Sequence, residues 1–197
     1  MPYSIKRKYE FTPMQWAGGS TTELFITPAS ASNAERNFDV RISSATVDME
    51  ESVFSDFSGY ERHITPLSGT MRLEHEGHHS VTLSPCAVDS FKGDWTTRSF
   101  GKCVDFNLIH RPGWQGKITS FTKEATLSLK KKGYTGIYAL KDNITATITL
   151  NGIMYRETLL AGDFLTIETD GRNEDVCRLE APKTDKECFA VAAHALQ

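Results

Sequence analysis

Two stretches of this 197-residue chain follow one pattern. Residues 64–91 read ITPLSGTMRLEHEGHHSVTLSPCAVDSF, and residues 137–167 read IYALKDNITATITLNGIMYRETLLAGDFLTI. Each opens with a short apolar segment ending at Leu67 or Leu140, then an alternating segment closed by Gly77 or Gly152. A further segment reaches Leu83 or Leu159, and an apolar one ends at Phe91 or Ile167. The step from Leu67 to Leu140 is 73 residues, that from Gly77 to Gly152 is 75, and the last two are 76. A nearly constant offset is the mark of two copies of one β-unit, so two similar barrels in one chain are expected. A small β-barrel keeps its chemistry inside, where strand alternation decides which side chains point inward.

The rest of the sequence agrees with an all-β reading. Helical periodicity is almost absent, and short runs rich in Val, Ile, Thr, Phe and Tyr recur between Gly, Pro, Asn or Asp. Asn151-Gly152, set between Leu150 and Ile153, is a strong hairpin signal because both residues tolerate positive φ. Glu76-Gly77 is read as its counterpart. The segment RPGWQG (111–116) ends the first unit with a strand-breaking Pro112-Gly113. The expected division is 1–116 for the first barrel, with N-terminal strands able to cross to the second, and 117–197 for the second. Residues 117–135 fit a helical turn or an edge strand equally well.

Composition narrows the function classes. The 22 basic and 25 acidic residues nearly balance, and no basic run with interleaved aromatics points to nucleic acid. Lys130-Lys131-Lys132 reads as a solvated turn. Cys86, Cys103, Cys177 and Cys188 lack Cys-x-x-Cys or zinc spacing, which fits a reducing cytoplasm. No signal-peptide pattern and no membrane-length apolar run is present.

Alternation places Asp39, Arg41, Ser43 and Ala45 on one face of the strand around 38–47, with Phe38, Val40 and Ile42 on the other. Asp105 and Asn107 likewise share a face, opposite Val104, Phe106 and Leu108. Those polar faces either meet water or line a lumen. Two further segments carry mixed chemistry: FSDFSGYER (54–62), read as a loop over a barrel mouth with Arg62 entering the next strand, and WAGGSTTE (16–23). A structural ion pair, for example Arg41 with Asp105, is the plain alternative to a ligand role.

Taken in order, Trp16, Gly19, Thr21 and Glu23, the strand RISSATV with Arg41, Ser43 and Ala45, and FSDFSGYER resemble the HutD/Ves family of bacterial proteins. So do Leu67-Ser68-Gly69, Phe91-Lys92-Gly93-Asp94 and Asp105-Phe106-Asn107 with Arg111. The chain departs from the family pattern at Val40, where tryptophan is frequent, at Val53, where proline is usual, and at His110-Arg111, where two arginines are. The resemblance implies a bicupin, two RmlC-like jelly-roll β-barrels packed in one chain, and favours the lumen reading of Arg41, Ser43, Asp105 and Asn107. It also implies an association with histidine utilisation and binding of an intermediate such as urocanate or formylglutamate.

Enzymatic cupins usually hold a metal through a His-x-His pair, a glutamate and a further histidine. Here His75, His78 and His79 are read as exposed turn residues, the second unit offers no histidine in the matching strands, and no metal or other cofactor is expected. No nucleophile elbow or Cys/His dyad is visible, so no catalytic residue is named.

The expected protein is therefore a cytoplasmic binder of a small anionic metabolite, with neither nucleic acid nor membrane as partner and a homodimer allowed. Arg41 and Arg62 recognise the carboxylate through their planar forks. Asp105 orients Arg41, Asn107 and Ser43 add hydrogen bonds, Trp16 and Phe91 supply apolar walls, and Glu23 and Asp94 stand at the mouth. The alternatives are a metal-independent enzyme acting on a small acid and a structural scaffold.

Overall fold

The structure, a computed structural model, describes residues 3–181 and 187–197. The chain begins with β1 (Tyr3–Lys6) and a 3-10 turn at Lys8–Glu10. Next come β2 (Met14–Trp16), β3 (Gly19–Thr27), β4 (Val40–Val47), β5 (Glu51–Val53), β6 (Glu61–Gly69) and β7 (Met71–His75). β8 (Ser80–Leu83), β9 (Asp89–Lys92), β10 (Thr97–Phe100) and β11 (Cys103–His110) follow. The remainder is β12 (Gln115–Phe121), β13 (Ala125–Ser128), β14 (Lys132–Ala139), β15 (Ile144–Leu150), β16 (Ile153–Leu159), β17 (Phe164–Asp170), β18 (Val176–Glu180) and β19 (Ala190–Leu196). Among the described residues no helix is long and apolar enough to cross a membrane.

The strands fall into two compact units. Thr12–Ile118 form the first; Met1–Phe11 and Thr119–Gln197 form the second. The first contains a six-stranded sheet in the order β2-β3-β4-β11-β6-β9 and a four-stranded sheet β5-β10-β7-β8. The second contains a five-stranded sheet β1-β17-β14-β19-β12 and a four-stranded sheet β13-β18-β15-β16. The repeat read from the sequence is thus a repeat of strand pairing: β4, β11, β6 and β9 neighbour one another as β12, β19, β14 and β17 do, and the four-stranded sheets match strand for strand. The segment 117–135 contains the end of β12 and the edge strand β13, so the open choice there resolves to strands.

Turn chemistry accounts for the hairpins. Asn151 (φ 52°) and Gly152 (φ 76°) both take left-handed backbone between the paired Leu150 and Ile153, as a two-residue primed turn needs. In the first unit the turn is longer: Glu74 pairs with Ser80, and the His75 N–H donates to the His79 carbonyl at 2.9 Å, with Gly77 at φ 75° between them.

The core of the second unit is apolar, built from Phe121, Ile137, Ala139, Leu165, Ile167, Ala190 and Ala192 among others. In the first unit Val47, Ile64, Met71, Leu73, Leu83, Phe91 and Cys103 make the corresponding cluster. The aromatics of the 54–62 segment contribute too: Phe57 and Tyr60 are buried against Phe38 and Ile109. Burial pushes the Cys103 and Cys177 thiols up to about 12, as expected of inert core cysteines.

Candidate functional site

Register across the six-stranded sheet decides what shares a face, since directly paired residues point the same way. Glu23 pairs with Ser43, Ser43 with Asn107, and Asn107 with Ile64. One step along, Arg41 pairs with Ile109, Ile109 with Arg62, and Arg62 with Phe91. Asp105 stands two residues from Asn107 on the same strand. Glu23, Arg41, Ser43, Asp105, Asn107, Arg62 and Phe91 therefore occupy one face of one sheet. Arg41, Arg62, Ser43, Asp105 and Asn107 are buried there, at 4–8% exposure, while Glu23 is exposed at the edge of the group.

Two expected members lie apart. Trp16 pairs with Gly19 and Gly19 with Val47, which puts it in the same row system but four residues further along β4 from Ser43; it is 41% exposed. Asp94 is exposed in the turn after β9.

The two arginines differ sharply. Arg41 Nε donates to Glu23 Oε2 at 2.8 Å and its Nη1 to Ser43 Oγ at 3.1 Å. Glu23 reaches it because the β3–β4 ladder shifts register between Glu23 and Phe25. Arg41 is thus oriented by Glu23 and Ser43, and the expectation that Asp105 orients it is corrected: the charge opposite Asp105 is Arg62.

Arg62 is surrounded by rings, with its guanidinium carbon 4.7 Å from the Phe54 centroid, 5.0 Å from Phe91 and 5.2 Å from Phe57. Its Nε has no hydrogen-bond partner. Burial is the chief cause that lowers its pKa to about 10, with Asp105 opposing and Arg41 and Arg36 adding. Asp105 is pushed up to about 7, chiefly by burial, against the pull of Arg62, the Asn107 side chain and the Ala45 N–H. Among the described residues four buried side-chain polar atoms lack a partner: Arg62 Nε, Asp105 Oδ1, Asn107 Oδ1 and Ser99 Oγ. Three of the four belong to this one group. An orphaned buried polar atom costs about 1–3 kcal/mol, so three on one face of one sheet call for an explanation.

The repeat provides an internal control. Shifted by the 73 residues that separate Leu67 from Leu140, Arg62 corresponds to Thr135 and Ile64 to Ile137. In the second unit Ile137 pairs with Ala192 and Ala139 with Ala190, the places that Asn107 and Asp105 fill in the first. The same strand frame is therefore built with alanines, and the charges of the first unit are not a requirement of the fold. A cation fits poorly among them, because Arg62 already supplies a buried positive charge.

Other histidine clusters went unread in the sequence. On the opposite face of the six-stranded sheet, His110 Nδ1 lies 3.0 Å from the Arg111 carbonyl, which can only accept, so His110 carries its proton there. Its Nε2 then accepts from His63 Nε2–H at 3.1 Å, and His63 Nδ1 accepts from the Ser90 hydroxyl at 2.7 Å. Burial, and next the neighbouring His110, lower the His63 pKa to about 4, in line with a neutral His63 ring. The reading of His75 as an exposed turn residue is also corrected: His75 is 3% exposed, hydrogen-bonded to Thr97 and Asp89, and packed against Phe91. Its burial comes from strands distant in sequence, which hairpin chemistry alone does not reveal. His78 and His79 are exposed.

Comparison with known proteins identifies the family. A Pseudomonas putida protein described as an uncharacterized 21.2 kDa protein in the hutC 3' region is 34% identical over 112 residues, which are 55% of this chain and 58% of that protein's length. A conserved protein of unknown function from Pseudomonas aeruginosa PAO1 superposes with a TM-score of 0.83 at 25% identity, covering 99% of both chains. HutD from Pseudomonas fluorescens SBW25 gives a TM-score of 0.77 at 23% identity over 99% of this chain and 98% of its own. A cupin 2 conserved barrel domain protein from Leptotrichia buccalis gives 0.57 at 11% identity over 98% and 96%, a likeness of fold. The HutD family model matches residues 8–188, and the chain is a member of the HutD family with a cupin-like all-β fold.

Proposed function

We propose that this protein is a bicupin, one barrel per compact unit, that binds a small carboxylate metabolite inside its first unit and serves histidine utilisation in the cytoplasm as a binding, regulatory component. The observation that carries this is the buried Arg62 guanidinium with its unpartnered Nε, beside the unpartnered Asp105 Oδ1 and Asn107 Oδ1. A carboxylate takes the Arg62 fork in two parallel charge-assisted hydrogen bonds. Asp105, held protonated to about pH 7, donates to a carboxylate rather than repelling it. Asn107 Oδ1 accepts from a ligand N–H, and both an acyl-amino acid and an imidazole acid carry one. The chemistry thus suits formylglutamate and urocanate, and membership of the HutD family supports that class.

A second reading rests on Asp105 itself. A carboxyl group titrating near neutrality is placed to transfer a proton, as a metal-independent enzyme on a small acid would require.

Thermal denaturation with formylglutamate, urocanate and other small carboxylates, followed by chromatography of the incubated ligands, separates the readings. A ligand at one hundred times its Kd adds about 2.7 kcal/mol. One carboxylate should raise Tm and be recovered unchanged. Conversion to product would establish the enzyme reading, and no stabilisation by any carboxylate would leave the buried charges structural.

A further inference from the structure

We propose that His75, His79 and Asp89 form a site for a divalent transition-metal ion, separate from the Arg62 group. His75 ends β7, and His79 returns across the turn four residues later. The His75 N–H to His79 carbonyl bond and the His78 N–H to His75 carbonyl bond, 2.9 and 3.0 Å, hold the two histidines together. Asp89 opens β9 beside Ile64 and brings a carboxylate to them. His75 Nε2 is 2.9 Å from Asp89 Oδ2, and His79 Nε2 is 3.2 Å from Oδ1 and 3.3 Å from Oδ2. The three ligand atoms all lie within 4.8 Å of one another. Donors bound at about 2.0–2.2 Å to one ion stand roughly 3–3.5 Å apart from each other, and the contacts of both histidines with Asp89 fall close to that spacing.

The surroundings fix the ligands as a metal site requires. His75 Nδ1 is 2.8 Å from Thr97 Oγ1, and the Thr97 hydroxyl donates to the Trp95 carbonyl at 3.1 Å. Thr97 therefore accepts from Nδ1–H, and Nε2 faces the Asp89 carboxylate. The bond from Nδ1–H to an acceptor is the orienting contact that metal-bound histidines make. His75 is locked by burial, while the His79 side chain is 41% exposed, so an ion can enter from solvent and keep water ligands. Two imidazoles and a carboxylate suit Zn²⁺, Co²⁺, Ni²⁺ or Fe²⁺ rather than Ca²⁺ or Mg²⁺. The Phe91 ring stands between this site and Arg62, 4.4 Å from the His75 ring and 5.0 Å from the guanidinium. A second group with ligand atoms within 4.8 Å of one another, Glu61, His63 and His110, stands on the opposite face of the six-stranded sheet, its two Nε2 atoms 3.1 Å apart.

The test is titration of untagged protein, stripped with a chelator, with Zn²⁺ by calorimetry and with Co²⁺ by visible absorption. Trp95, whose ring centre is 5.6 Å from that of His75 and 5.8 Å from that of His79, supplies a third signal, since bound Co²⁺ quenches it. One equivalent should bind, and His79→Ala and Asp89→Asn should each weaken binding at least ~10-fold, as should Thr97→Val, which removes no ligand atom. His79 is exposed, so His79→Ala should melt like the metal-free parent. His78→Ala should leave the calorimetric stoichiometry and affinity unchanged. Absence of a saturable equivalent overturns the proposal. So does binding by His79→Ala equal to the parent, or binding lost in His63→Ala but kept in His79→Ala.

Discussion

Replacing Asp105 with asparagine removes a carboxyl group that burial holds protonated to about pH 7, while keeping its size. In the unfolded chain the group ionises near 3.8, so between these values the folded state keeps a proton that the unfolded state has released. Stability from this group is fully present below the unfolded value and is lost as pH rises through the folded one. At 1.36 kcal/mol per pKa unit the whole effect is about 4 kcal/mol, of which roughly 3 kcal/mol falls between pH 5 and pH 8. Trp16, Trp95 and Trp114, the chain's 3 tryptophans, all lie in the first unit, so denaturant unfolding followed by tryptophan fluorescence reports on that unit. The parent should lose roughly 3 kcal/mol relative to Asp105→Asn from pH 5 to pH 8. Parallel curves for the two proteins would refute the reasoning. They would mean that Arg62 neutralises an ionised Asp105 in the folded state, so that no proton is held.

Three other substitutions test the frame around the site. Tyr60→Phe deletes a hydroxyl that donates to the Arg36 carbonyl at 2.6 Å and lies 2.9 Å from that of Phe38; it should cost about 1 kcal/mol in denaturant titration. Gly93→Ala places a Cβ 2.2 Å from the Phe57 carbonyl oxygen, where backbone must move. It should cost roughly 1–3 kcal/mol and loosen the aromatic seat of Arg62, read as lower Tm and weaker carboxylate binding together. Gly116→Ala sets a Cβ 2.3 Å from His110 Nε2 and 2.4 Å from His63 Nε2, which parts the two rings. NMR titration should then find the His63 pKa moved up from about 4 towards its ordinary 6.5.

The fold was legible because the repeat is physical: equal offsets in apolar segments correspond to equal strand pairings, and strand pairings define the architecture. Most of the candidate group was legible for a simpler reason. β4 and β11 alternate cleanly, so Arg41, Ser43, Asp105 and Asn107 had to share a face once those strands paired. Alternation does not say which charge meets which across the sheet. The β3 irregularity brings Glu23 to Arg41 and leaves Asp105 to Arg62, and a bulge leaves no period in the sequence. Trp16 shows the same limit along the strand, since the right face at the wrong height reaches nothing in the site. His75 was misread because its burial depends on Asp89, Phe91 and Thr97, none of them a neighbour in sequence.

Whether Arg62 seats a carboxylate is measured most directly by calorimetric titration of formylglutamate and urocanate into the parent and into Arg62→Met, which keeps much of the side-chain volume without the charge. Lowering that pKa from 12.5 to about 10 corresponds to roughly 3 kcal/mol against the charged form, from burial first and then Arg41 and Arg36, net of the pull of Asp105 and partly offset by the three rings. The variant should therefore fold at least as stably as the parent while losing all measurable binding of the carboxylate that the parent takes up. Undiminished binding by a folded Arg62→Met, or a variant that no longer folds, would contradict a buried charge kept for a ligand.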